Sequence, residues 1–189
     1  MANGTLKVSN IETSSGSGTI TVGASGETVD LSNGTITLNS SMKNTPSFAV
    51  YGSSGQSLSD NTDTKVEFNT EVYDTDSAFA SNKFTVPSGE AGKYFFNVNL
   101  YYEGRVENDY RRFQAAYRKN GGGLSLPSTL HLARENYSNN MRANGVSFSI
   151  ILDLAVSDYV EVYALQDNAA NGSRSLEQAY FQGFKLIGV

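Results

Sequence analysis

Six of the seven arginines, Arg105, Arg111, Arg112, Arg118, Arg134 and Arg142, fall between positions 105 and 142. With Lys119 they face three carboxylates, Glu107, Asp109 and Glu135, and Tyr110, Phe113, Tyr117 and Tyr137 are interleaved among them. A guanidinium fork matches the oxygens of a carboxylate or phosphate, and aromatic rings stack on sugars. Arg105, Tyr110, Arg111, Arg112, Tyr117, Arg118 and Arg134 are therefore a candidate patch for an anionic or sugar ligand. The same cations serve equally as salt bridges between subunits or as the lining of a symmetry axis, and spacing alone does not separate the roles. Catalysis has fewer footholds. His131 is the only imidazole, and neither a cysteine nor a Gly-x-Ser-x-Gly elbow is present, so no hydrolase triad can be assembled and His131 is expected on the surface or in a loop.

Asp60 with Asp63, and Asp74 with Asp76, place hard oxygen ligands in two loops where calcium is a possible guest. Neither cluster has the glycine and bidentate glutamate of a helix-flanked calcium loop, so solvated loop acids are the competing reading. Gly121, Gly122 and Gly123 precede no Lys-Ser/Thr pair and no helix, unlike a phosphate loop. Glycoside hydrolysis needs two carboxylates held about 5 to 10 Å apart, a pairing that a linear sequence does not display. The expectation is a protein that is not an enzyme and needs no cofactor, calcium being possible but unplaced.

What must position these residues is a chain of 189 residues with 14 basic and 19 acidic side chains, a formal charge of -5. Mild acidity argues against a nucleic-acid partner, which asks for a basic face. Without cysteine there are no disulfides and no thiolate zinc site. No apolar run approaches a membrane span, and the first twenty residues lack an export-signal core, so neither membrane insertion nor standard secretion is expected.

All 11 Tyr and 10 Phe lie at or after Phe48, which predicts a boundary between residues 1–47 and 48–189. The first part is rich in Gly, Ser, Thr and Asn yet periodic. Gly4-Thr5-Leu6-Lys7-Val8 recurs as Gly18-Thr19-Ile20-Thr21-Val22 and Gly34-Thr35-Ile36-Thr37-Leu38, at steps of 14 and 16 residues. Each phrase reads as a short strand with two aliphatics on one face and a β-branched threonine on the other. Two aliphatics per strand are too few for one copy to fold alone. Winding three chains about one axis would gather Leu6, Val8, Ile20, Val22, Ile36 and Leu38 into a core, giving a short β-repeat stalk; the alternative is a tether that orders only on a partner.

After Phe48 the pattern becomes long alternating strands. Tyr94, Phe96, Val98, Leu100 and Tyr102 share one face, with Phe95, Asn97, Asn99 and Tyr101 opposite; Val146, Phe148, Ile150, Leu152 and Leu154 form a second apolar row. The gap from Ala155 to Asp158 predicts that this row pairs antiparallel with Tyr159–Leu165, and Asn120-Gly121 predicts a tight turn. Many strands without helical periods imply an all-β antiparallel sandwich or jelly roll.

Three phrases in order resemble the globular head of complement component C1q and its tumour-necrosis-factor-like relatives. They are Phe84-Thr85-Val86-Pro87 with Gly92-Lys93-Tyr94-Phe95-Phe96, then Leu152-Asp153-Leu154 with Asp158-Tyr159-Val160-Glu161-Val162, and finally Phe181-Gln182-Gly183-Phe184-Lys185-Leu186-Ile187. The likeness spans residues 46–189 and implies a ten-stranded jelly roll packed as a homotrimer through aromatic faces. Some members of that family bind calcium near the trimer apex, but no residue here matches such a motif.

A collagen-like stalk is replaced here by the Gly-Thr-Ile-Thr-Val array, and the opening Asn3-Gly4-Thr5-Leu6-Lys7-Val8-Ser9-Asn10-Ile11 resembles the N-terminal segments of small virion proteins from marine and cyanobacterial phages. That resemblance implies a tailed-bacteriophage fibre or appendage assembled in the host bacterial cytoplasm, where disulfides are not expected. Residues 1–47 would attach to another virion protein and form the stalk, and 48–189 would be the trimeric head that meets a host cell-surface glycan or protein. The rival expectations are a capsid or tail decoration protein without a receptor role, a secreted C1q-like binding module, and a small glycan hydrolase.

Overall fold

The structure is a computed structural model that describes residues 42–52, 55–103, 110–123, 129–133 and 143–187, with single positions 11, 22, 25, 26, 28, 29 and 35. The chain divides into a unit Met1–Thr37 and a unit Leu38–Val189. Of the predicted stalk core, Leu6, Val8, Ile20, Ile36 and Leu38 lie outside the described residues. Val22 and Thr35 are described outside any strand, and Val22 is 63% exposed in the single chain. Two aliphatics per phrase give one chain nothing to bury Val22 against.

In the second unit, thirteen strands follow one another among the described residues: β1 (Ser47–Gly52), β2 (Gln56–Leu58), β3 (Thr64–Lys65), β4 (Thr70–Asp74), β5 (Phe79–Ala80), β6 (Lys83–Thr85), β7 (Gly92–Glu103), β8 (Tyr110–Lys119), β9 (Gly122–Gly123), β10 (Thr129–Ala133), β11 (Ala143–Leu154), β12 (Tyr159–Asn168) and β13 (Arg174–Lys185). They form two antiparallel sheets. The first runs β11-β7-β13-β1-β4 with β2 beside β13; the second runs β10-β8-β12-β6-β5 with β3 beside β12 and β9 beside β8. This is the expected antiparallel jelly-roll sandwich.

Strand alternation builds the core between the sheets. Tyr94, Phe96, Val98, Leu100 and Tyr102 of β7 are all buried, facing Phe113, Ala115 and Tyr117 of β8 and Val160, Val162 and Ala164 of β12. Phe48 sits at the centre, with ring centroids 4.9 Å from Phe181 and 5.2 Å from both Phe79 and Phe84. Offset and edge-on contacts of this kind add to the area term. Of the three tyrosines in the core, two place their hydroxyls on carbonyls: Tyr117 donates to Phe148 O at 3.0 Å and Tyr94 donates to Glu90 O. Burial pushes both phenols well above their ordinary value. Gly183 is obligatory here, since a Cβ would stand 2.5 Å from the Phe96 ring and 2.9 Å from the Phe95 carbonyl.

Asn120 and Gly121 make the predicted tight turn, both with positive φ, closing Lys119 onto Gly122. The pairing expected across Ala155–Asp158 is overturned. β11 pairs along its whole length with β7, from Ala143↔Glu103 to Leu154↔Gly92, while β12 pairs with β8 in the opposite sheet. A four-residue gap suits a hairpin or a corner, and here backbone hydrogen bonds select the corner. Ser157 N–H donates to Val86 O at 3.0 Å, and Val86 N–H donates to Asp158 O at 2.9 Å.

The Asp158 carboxylate locks this corner. It accepts from the Ala155 amide at 2.8 Å and the Asn120 side chain at 2.7 Å, and pairs with Lys119 Nζ at 2.7 Å. Hydrogen bonds from Lys119, then Asn120 and the Ala155 amide, lower its pKa from 3.8 to about 2. A carboxyl whose folded pKa is depressed contributes stability above its unfolded pKa and loses it as the pH falls through the folded one. In urea unfolding, the wild-type midpoint therefore falls between about pH 4 and pH 2 by an amount that the Asp158→Asn variant lacks. That variant starts from a lower midpoint at pH 7.

Candidate functional site

Because Tyr94 to Tyr102 alternate inward, Phe95, Asn97, Asn99 and Tyr101 point outward from the first sheet, and register aligns them with neighbours of like chemistry. Four rows cross this face: Ile151, Phe95 and Phe184; Ser149, Asn97, Gln182 and Ala49; Ser147, Asn99, Tyr180 and Tyr51; and Gly145, Tyr101 and Gln178. None of these residues is charged, although the chain carries a formal charge of -5. Phe95 and Phe184 have ring centroids 5.3 Å apart, and Tyr51 and Tyr180 stack at 6.0 Å. Ile151 is 58% exposed, Tyr180 47% and Tyr101 40%.

Between the two aromatic groups runs an amide ladder. Asn97 Nδ2 donates to Ser149 Oγ at 3.0 Å, Asn99 Nδ2 donates to Asn97 Oδ1 at 2.8 Å, and Gln182 Nε2 reaches the same oxygen at 3.5 Å. A broad, uncharged face rich in tyrosine and phenylalanine has the composition of a protein–protein interface core.

The arginine cluster is only partly assembled. Arg112 donates through Nη2 to Asn61 Oδ1 at 2.7 Å. Arg118 pairs with Asp63 at 2.6 Å and lies 3.9 Å over the Tyr163 ring. Both arginines thus hold the loop before β3 of their own chain. Arg111 is different: its side chain is 57% exposed and stands 3.7 Å from Asp167. Tyr117 is a correction, since its ring is wholly buried in the core and cannot meet a ligand. It shares the parity of Phe113 on β8, which places it inward. Arg105 and Arg134 lie outside the described residues, as does the side chain of Tyr110, whose backbone opens β8 opposite Asn168. His131 is in a strand rather than a loop, paired with Gln114.

The loop carboxylates are engaged by their own chain. Asp60 accepts the Asn168 amide at 2.8 Å, Asp74 accepts those of Ala78 and Phe79 at 3.0 and 2.8 Å, and Asp76 accepts the Thr75 hydroxyl at 2.6 Å. Among the described residues no group of three or more His, Asp or Glu gathers as a metal site.

Two antiparallel sheets in this strand order, with a core between them, make a jelly-roll sandwich. The chain is similar to a solved structure described as the globular domain of zebrafish complement 1qA protein, at 22% identity and a TM-score of 0.52, covering 75% of this chain and 97% of that one. That likeness shows the fold. No protein-family model and no curated protein matches the chain.

The two arginine environments separate on mutation. Replacing Arg118 by Ala removes a stacked and paired cation and lowers the unfolding free energy by about 1 kcal/mol or more, whereas Arg111→Ala stays within about 0.5 kcal/mol. Chemical denaturation of both variants checks this ordering.

Proposed function

We propose that this protein is a non-enzymatic structural protein of a tailed bacteriophage: a homotrimeric fibre or appendage whose C-terminal head adheres to the host surface. The observation that carries the assembly is the charge-free centre of the first sheet's outer face, bounded by the exposed pair Lys93 and Asp153, where aromatic side chains stand exposed in an acidic chain. A sheet that keeps charges off the centre of one outer face is prepared to bury that centre, and identical copies do so with closed symmetry. The leader supports association in the same direction, because its three Gly-Thr-aliphatic phrases lack the apolar groups to fold singly.

With the first sheet turned to the assembly, the second sheet is left to meet a ligand, and Arg111 stands exposed near the start of its strand β8, 3.7 Å from Asp167. A host glycan or surface protein is the partner in view. Three copies of a weak site give firm attachment through effective concentration rather than through any one strong contact. The phage context draws on the opening segment's resemblance to virion proteins and on the absence of cysteine. The likeness to a complement globular domain favours, as a second reading, a binding module working outside any virion.

The test uses antibodies against residues 38–189 with electron microscopy of purified virions, together with competition of phage adsorption by the purified protein. Label on a tail appendage and slower adsorption are expected. Label on the capsid without competition would replace adhesion by decoration, and particles free of the protein would overturn the virion role.

A further inference from the structure

We propose that the amide ladder on the first sheet is the register key of the assembly: Asn99 and Gln182 form hydrogen bonds between subunits that fix how the aromatic faces meet. This rests on the trimeric reading above and adds to it which side chains choose the geometry. Aromatic burial is non-directional, so a face of Phe95, Phe184, Tyr51, Tyr180 and Tyr101 alone would tolerate several sliding or rotated dockings.

The ladder narrows that choice. Asn97 is saturated within its own chain: its nitrogen reaches Ser149 Oγ at 3.0 Å and Phe148 O at 3.4 Å, and its oxygen takes Asn99 at 2.8 Å and Gln182 at 3.5 Å. Asn99 gives one N–H to that ladder, and Gln182 likewise gives one. Among the described residues, the oxygen and second N–H of each remain without a hydrogen bond. Both amides lie between the aromatic groups, where docking removes water. A docking that leaves them facing rings strips their solvent without return, while one that pairs them does not.

An amide both donates and accepts, so in a closed ring of identical chains the same residue can bond to its own copies head to tail. The arrangement parallels a single polar residue in an apolar helical seam, which lowers stability yet fixes register and strand number.

The test is the double variant Asn99→Val/Gln182→Val, read by native mass spectrometry and sedimentation velocity of the full chain. Both positions lie on the outer face, Gln182 exposed and Asn99 half-buried, so the subunit fold is retained and is checked by circular dichroism. The wild type is expected as one three-chain species. The variant is expected to spread over several association states, with the three-chain fraction reduced at least twofold, while Asn99→Ser, which keeps a donor and an acceptor, stays uniform. Should the double variant misfold, Asn99→Val alone repeats the test with Asn97 still bonded to Ser149. A variant as uniformly three-chained as the wild type would overturn the register role alone. A wild type of folded single chains would overturn the trimeric reading and this inference together.

Discussion

Each face of a sheet in this fold has to be accounted for, and the first sheet has two that avoid charge in their central rows. Its inner face packs Phe48, Phe96 and Phe181 against the second sheet and closes the core. Its outer face presents tyrosines, phenylalanines and amides to solvent with no lysine, arginine, aspartate or glutamate in the four central rows. Water tolerates scattered apolar groups, but a continuous uncharged sheet face is a surface awaiting cover. The corner at Ala155–Asp158 and the clamp on Asp158 follow from the same constraint, since they carry the chain from one sheet to the other and so hold β11 at the edge of this face.

The proposed role extends that constraint outward. A head that covers its first sheet with copies of itself leaves the second sheet facing away from the assembly. Arg112 and Arg118 there are tied to Asn61 and Asp63 of their own chain, which makes them supports of the surface, while Arg111 keeps most of its side chain in solvent. Weak contacts repeated three times suit a surface of this kind.

Much of the fold is legible in the sequence because period-two alternation is strong where the two faces differ. The inward row of β7 and the tight turn at Asn120-Gly121 both stand where the residue pattern puts them. The partners of β11 and β12 are not legible, because a four-residue gap is compatible with a hairpin as well as a corner, and only the hydrogen bonds to Val86 decide. The arginine neighbours of Tyr117 suggest a surface aromatic, although its parity with Phe113 marks it as inward. The charge-free face is hidden for a different reason: Phe95, Tyr180 and Ile151 come from three separate strands, and only register brings them into adjoining rows.

Sedimentation equilibrium of the intact chain over a wide concentration range tests the central claim most directly. The account predicts a single species of three times the 20.4 kDa chain mass that persists on dilution. A stably folded species of one chain mass at every concentration would contradict it.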